Sequence, residues 1–235
     1  MGCDIHLYVE RKKVIDDEWA SVDEWGPDED YPECLTVDWR NHFYRDRNYR
    51  LFAILADVRN GYGFAGCDTG ERLIPIAEPR GLPEDVSDLV RAESDYLGGD
   101  GHSHSWLTLA ELLTYDWTQT ATLRGWINGP ACADWMRWRD EEPGPKTYSG
   151  GVSGQRIQHV PIAELEARVQ AIWTSGGKFA EWEQRIREEL EHVYAQAEWK
   201  QSYASCCRKW WSETMPRLLH VGEPERVRIV FWFDN

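Results

Sequence analysis

Two stretches decide the fold: Cys3-Asp4-Ile5-His6-Leu7-Tyr8-Val9-Glu10 near the start of the chain, and Val227-Arg228-Ile229-Val230-Phe231-Trp232-Phe233-Asp234 near its end. In the first, Cys3, Ile5, Leu7 and Val9 alternate with Asp4, His6, Tyr8 and Glu10, a period of two that predicts a strand with one apolar side. The second repeats the pattern, with Val227, Ile229, Phe231 and Phe233 set against Arg228, Val230, Trp232 and Asp234. Both ends are therefore expected in one sheet, closing residues 1–235 into a single α+β domain with helices inserted between the terminal strands. A short strand at Trp19-Ala20-Ser21-Val22 is expected to pair with the first through a hairpin at Asp16-Asp17.

Working inward, residues 23–47 read as an irregular loop running from acidic to basic. Tyr49, Leu51, Phe52, Leu55 and Val58 fall at helical spacing and stop before Asn60-Gly61. Leu82-Pro83-Glu84-Asp85 has the proline and acids of a helix start. Thr108-Leu109-Ala110-Glu111 fits a capping box. Glycines and prolines make about 128–160 loop-like. Beyond Ile162–Trp173, the apolar positions Phe179, Trp182, Ile186, Leu190, Val193 and Ala197 keep steps of three and four, which predicts one long helix over about 179–211. Its stripe suits either a homo-oligomer interface or cover for its own sheet.

Composition narrows the function. With 26 Lys and Arg against 41 Asp and Glu, the net charge is −15, which argues against general nucleic-acid binding, since that needs clustered cations to neutralise phosphates. No apolar run approaches the roughly 18–20 residues of a membrane span, and no secretory signal precedes Cys3, so a cytoplasmic location is expected. The six cysteines form no CxxC pair, and adjacent Cys206 and Cys207 are expected to pack rather than react. Fourteen tryptophans, more than Tyr or Phe, raise the expectation of a site that stacks planar ligands.

Several residues have the chemistry of a site. Asp4 and His6, two apart on one strand face, can reach a single ion or phosphate. Arg47 and Arg59, within the basic island Arg45–Asn60, offer forks for phosphate, with Asn48, Tyr49 and Asn60 beside them. The same arginines would equally serve surface ion pairs. Gly61–Gly70 follows a helix and lacks Gly-Lys-Ser/Thr, so it is no P-loop, although Asp68 and Thr69 could add polar contacts. Trp106 and Trp232 are candidates for base stacking. His102 and His104, in a polar loop expected to precede a helix, complete a candidate metal set with Asp4, His6 and Asp234; capping and core packing are the competing roles. Asp-x-His and Gly101-His102-Ser103-His104 resemble elements of calcineurin-like phosphoesterases, but the intervening motifs of that family are not found in order.

Taken together, Met1-Gly2-Cys3-Asp4-Ile5-His6, Arg47-Asn48-Tyr49, Ala56-Asp57-Val58-Arg59-Asn60, Pro79-Arg80-Gly81-Leu82-Pro83, His104-Ser105-Trp106-Leu107-Thr108 and Val230-Phe231-Trp232-Phe233-Asp234-Asn235 resemble a family of small tailed-phage proteins without an established activity. The resemblance implies an accessory protein acting in the bacterial cytoplasm, where host defences signal through modified or cyclic nucleotides. The leading expectation is capture of such a nucleotide-derived signal, with no cofactor required. One alternative is metal-dependent phosphodiester hydrolysis, using a divalent ion on Asp4, His6, His102, His104 and Asp234. The other is an acidic decoy that binds a host protein.

Overall fold

The computed structural model describes residues 2–141 and 143–234. It is α+β, and its contacts divide the chain into two compact units. The first comprises the described residues of Met1–Asn60, Leu73–Thr118 and Tyr203–Asn235; the second comprises those of Gly61–Arg72 and Gln119–Ser202.

In the first unit, β1 (Asp4–Lys12), β2 (Trp19–Ser21), β5 (His102–Thr108) and β9 (Val227–Asp234) form a sheet in the order β2-β1-β9-β5. The two terminal strands pair antiparallel along their whole length, with Asp4 opposite Asp234, His6 opposite Trp232 and Glu10 opposite Arg228. The hairpin from β1 into β2 is present, with Asp17 at a left-handed φ of 61°. Both faces of the sheet are covered. One receives α1 (Tyr49–Ala56), whose Phe52 ring lies 5.0 Å from Phe233. The other receives α2 (Asp88–Leu97) and the two-stranded ribbon of β3 (Trp25–Pro27) and β4 (Leu35–Val37), packing Val37, Val86 and Val90 against Tyr8, Val230 and Trp232. This double cover corrects the expectation of a one-sided sheet: β9 is buried from Val227 to Phe233.

Glu10 and Arg228 lie on that second face and are also buried. Arg228 Nε donates to Glu10 Oε2 at 2.7 Å, Arg228 Nη1 donates to Asp85 Oδ1 at 2.8 Å, and the free Glu10 oxygen accepts from the Ser87 amide at 2.8 Å. The guanidinium lies 4.1 Å from the Trp19 ring. A polar pair therefore spans the terminal-strand ladder one position from its Arg11–Val227 end, hydrogen-bonded on both sides. Helix α1 begins at Asn48, whose side chain accepts from the Arg50 and Leu51 amides. Helix α3 (Leu109–Thr114) begins with the expected capping box between Thr108 and Glu111. Helix α2 starts at Asp88, later than the proline signal at Leu82-Pro83 implied.

The second unit holds β6 (Thr120–Asn128), β7 (Gln158–His159) and β8 (Val193–Ser202) in the order β6-β8-β7, with α4 (Gly129–Trp138), α5 (Ile162–Thr174) and α6 (Phe179–Leu190) packed together. Two expectations are corrected here. The loop-rich segment contains α4, started by Asn128 as its cap with Pro130 in the first turn. The long helix over 179–211 is instead α6 followed by β8, in which Val193, Ala195, Ala197 and Trp199 are buried and Gln196, Glu198 and Lys200 are exposed. The stripe that suited a homo-oligomer therefore does not exist as one surface. The chain re-enters the first unit through α7 (Tyr203–Cys206), a π-helical turn at Trp210–Thr214 and α8 (Met215–Val221). No helix among the described residues is long and apolar enough to cross a membrane.

Candidate functional site

The joined ends of β1 and β9 gather residues from widely separated parts of the sequence. Asp234 accepts from the Asp4 amide through Oδ1 at 3.3 Å, and its Oδ2 lies 3.3 Å from His6 Nε2. Arg47 holds Asp4 with two arms, Nε to Oδ1 at 2.8 Å and Nη2 to Oδ2. These hydrogen bonds hold the Asp4 carboxyl below the usual range. Gly2 makes the grip possible, because a Cβ there would lie 2.6 Å from Arg47 Nη1 and displace the guanidinium.

Around the end of the sheet, on the α1 side, the Tyr49 hydroxyl accepts from the Cys3 amide at 3.2 Å, and the Arg59 guanidinium lies 5.7 Å from the Tyr49 ring. Arg59 is placed by two departures from helical geometry, on either side of Val58. Asp57 closes α1 at φ 59°, and Arg59 itself sits at φ 55°, a conformation that costs a non-glycine residue on the order of 1 kcal/mol or more. Burial pushes the Cys3 thiol up, while a hydrogen bond from Arg59 opposes that shift. His102 stacks on Phe233 at 6.0 Å, and burial followed by the nearby Arg59 charge lowers its pKa.

Asp4, His6, Arg47, Tyr49, Arg59, His102 and Asp234 thus share one end of the sheet. The Asp4 and Arg47 side chains are about half exposed, and those of His6 and Asp234 are 26% and 31% exposed. Asp4, His6, Arg47 and Asp234 can offer a charged fork, carboxylate acceptors and an imidazole at this end of the sheet, with Tyr49, Arg59 and His102 around it on the α1 side. Cys3 belongs to this constellation although sequence reading assigned it only to the apolar face.

The remaining candidates stand elsewhere or have other duties. Asn48 caps α1 and donates to the Cys206 carbonyl at 2.9 Å. Asn60 is buried, donating to Asp57 Oδ1 and the Leu73 carbonyl and accepting from the Leu73 amide, each at 2.6 Å, so it staples the chain and faces no ligand. Asp68 belongs to the second unit, where it takes the Gly70 amide and pairs with Arg124. Trp106 lies two positions further along the sheet than Trp232, opposite Val230, with the Arg80 guanidinium 4.9 Å from its ring.

Trp232 cannot serve as the expected stacking platform. It is fully buried, with the His6 ring stacked at 5.9 Å from one side and the His104 ring at 5.5 Å from the other strand neighbour. The histidine pair is corrected too. His102 and His104 begin strand β5 and no loop, and the ladder shifts register between His102 and Ser105, with Ser103 at φ 52°. The irregularity turns the two rings to opposite faces, His102 onto Phe233 and His104 onto Trp232, where Ser94 Oγ lies 3.0 Å from His104 Nε2. The five-residue metal set is therefore split. Among the described residues, no group of three or more His, Cys, Asp or Glu is arranged to hold a metal ion.

Comparison with protein-family models, with curated proteins and with solved structures finds no match to this chain.

Proposed function

We propose that the protein is a binding module for a small nucleotide-derived ligand, held at the joined ends of β1 and β9. The observation that carries this reading is the convergence of Arg47 with Asp4, His6 and Asp234 across a sequence separation of 230 residues, with Arg59 beside Cys3 and Tyr49 around the same end of the sheet. Guanidinium forks recognise phosphate oxygens, and carboxylate and imidazole groups recognise ribose hydroxyls and base edges. With a net charge of −15, the surface as a whole repels polyanionic nucleic acid, so a local cationic pair favours a small ligand over a strand. Arg47 would exchange part of its pairing with Asp4 for the ligand's phosphate. The resemblance to tailed-phage proteins points the ligand class toward a host immune signal, and the role toward sequestration in the bacterial cytoplasm.

A second reading is favoured by one contact. A histidine oriented by a carboxylate, as His6 is by Asp234, is the arrangement of a general acid or base, and would allow hydrolysis of the same ligand. One experiment tests both. Thermal melts with a panel of nucleoside mono-, di- and triphosphates and cyclic mono- and dinucleotides should show a rise for at least one member. Ligand at about a hundred times its Kd adds about 2.7 kcal/mol. The nucleotide recovered after denaturing the complex is expected intact for capture and cleaved for hydrolysis. A flat response across the panel would refute the binding reading.

A further inference from the structure

A second cationic feature lies in the first unit and is independent of the sheet-end cluster. Residues 40–46 and 209–217 enclose a cavity of about 150 Å³ lined by Arg40, His42, Arg45, Lys209, Arg217 and Thr214, with Asp46 and Glu213 as its carboxylates. The lining has four permanent cations against two carboxylates, and Asp38 holds Arg40 with two further bonds at 3.0 and 2.6 Å, which leaves a small net positive patch in a chain of net charge −15.

The wall is built, not incidental. Arg217 donates to the carbonyls of His42 at 2.9 Å and Asn41 at 3.1 Å, and lies 4.3 Å from the Phe43 ring. Buried Thr214 donates to the Phe43 carbonyl at 2.9 Å. These bonds wrap the 41–43 segment around a fixed guanidinium. Thr214 and Glu213 come from the π-helical turn at Trp210–Thr214, a local widening of the helix that recurs at functional sites. Arg45, also in the lining, is stacked 4.5 Å from the ring of Trp39, which is 65% exposed. Lys209 Nζ lies 3.1 Å from Asp46 and is itself 64% exposed.

Size selects the ligand class. Sites for drug-sized molecules run to roughly 300–1,000 Å³, whereas about 150 Å³ holds on the order of five waters, the scale of one or two phosphoryl groups. We infer that this pocket binds a phosphoryl oxyanion, with Arg45 and Lys209 as its adjustable donors and Arg217 as its fixed wall. The shared chemistry is a phosphate anhydride or ester, whose source is either a free pyrophosphate or the phosphate end of a nucleotide that rests its base on Trp39.

Isothermal titration of the full chain with inorganic pyrophosphate and with ADP, at constant ionic strength, tests the assignment. Saturable binding of at least one is expected. It should weaken about tenfold or more in Arg45→Ala and in Lys209→Ala, as the loss of one charge-assisted donor implies. It should be unchanged in Arg139→Ala, a second-unit control. Tighter binding of ADP that is lost in Trp39→Ala identifies a nucleotide as the source; equal binding of both identifies the phosphoryl group alone. Near-UV circular dichroism checks that the variants fold. No saturable heat with either ligand to millimolar concentration, or binding indifferent to both Arg45→Ala and Lys209→Ala, would overturn the inference.

Discussion

Replacing Arg228 by Met probes what holds the terminal strands in register. The Arg228 and Glu10 side chains are 3% and 0% exposed, so removing the cation strands a buried carboxylate whose remaining protein partner is the Ser87 amide. Breaking one side of such a pair costs about 3–5 kcal/mol, a large part of the roughly 5–15 kcal/mol that stabilises a typical domain. At roughly 2–4 °C per kcal/mol for a chain of this size, the melting temperature should fall by about 6–20 °C. Glu10→Gln should be milder, because the amide oxygen can still accept from Ser87 and Arg228 retains Asp85. The assay is urea unfolding followed by near-UV circular dichroism, which senses Trp19 beside the guanidinium. The expected order is wild type, then Glu10→Gln, then Arg228→Met. A cost for Arg228→Met below about 1 kcal/mol, the range of exposed pairs, would refute the claim that this buried pair pins the ladder.

Two further outcomes follow from burial and backbone geometry. Burial pushes Asp23 up from 3.8 to about 6, against hydrogen bonds from the Val9 amide and the Ser21 hydroxyl. The folded state therefore holds this proton more tightly than the unfolded chain, and Asp23 costs stability as pH rises from about 4 to 6, in total roughly 3 kcal/mol. Asp23→Asn should remove that component, so the wild-type minus variant stability should fall across this window; a difference independent of pH would contradict it. In the second unit, Gly70 sits at φ 109°, and a Cβ there would lie 2.3 Å from the Thr122 carbonyl oxygen and 2.7 Å from Leu123 Cα. Gly70→Ala should cost several times the roughly 1 kcal/mol of an ordinary glycine replacement. Hydrogen exchange should show lost protection at the Arg124 amide, which donates to the Thr69 carbonyl; retained protection there would count against this packing.

The terminal sheet was legible because alternation with a period of two survives in Cys3–Glu10 and Val227–Asp234 even when both faces are covered. What the pattern could not reveal was that cover, since Tyr8, Trp232 and a paired Glu10–Arg228 look the same in sequence whether they face solvent or α2. Strand β8 was hidden for a different reason. Val193 and Ala197 satisfy a helical step of four as well as a strand step of two, and Ala195, Gln196, Glu198 and Lys200 are residues that favour helices. Weighting the continuous alternation through Trp199 would have recovered it. Helix α4 was missed because Gly129-Pro130 reads as a breaker, when proline just inside an Asn-capped start is a helix signal. At the site, strand pairing made the meeting of Asp4, His6 and Asp234 readable, and the arginine island supplied Arg47 and Arg59. The bulge at Ser103 that separates His102 from His104 leaves no period to detect. The cationic pocket was equally hidden, because Lys209 and Arg217 reach Arg40 and Arg45 only through the tertiary fold.

Histidine-ring NMR during titration with the panel nucleotide that most raises the melting temperature tests the binding site directly. The resonances of His6 and His102, at the joined ends of β1 and β9, should move with occupancy while those of His159 and His192 in the second unit stay still, and the movement should weaken in Arg47→Ala. Shifts confined to His42, or none at His6 while the nucleotide demonstrably binds, would show that the converging chain ends are not where the ligand is held.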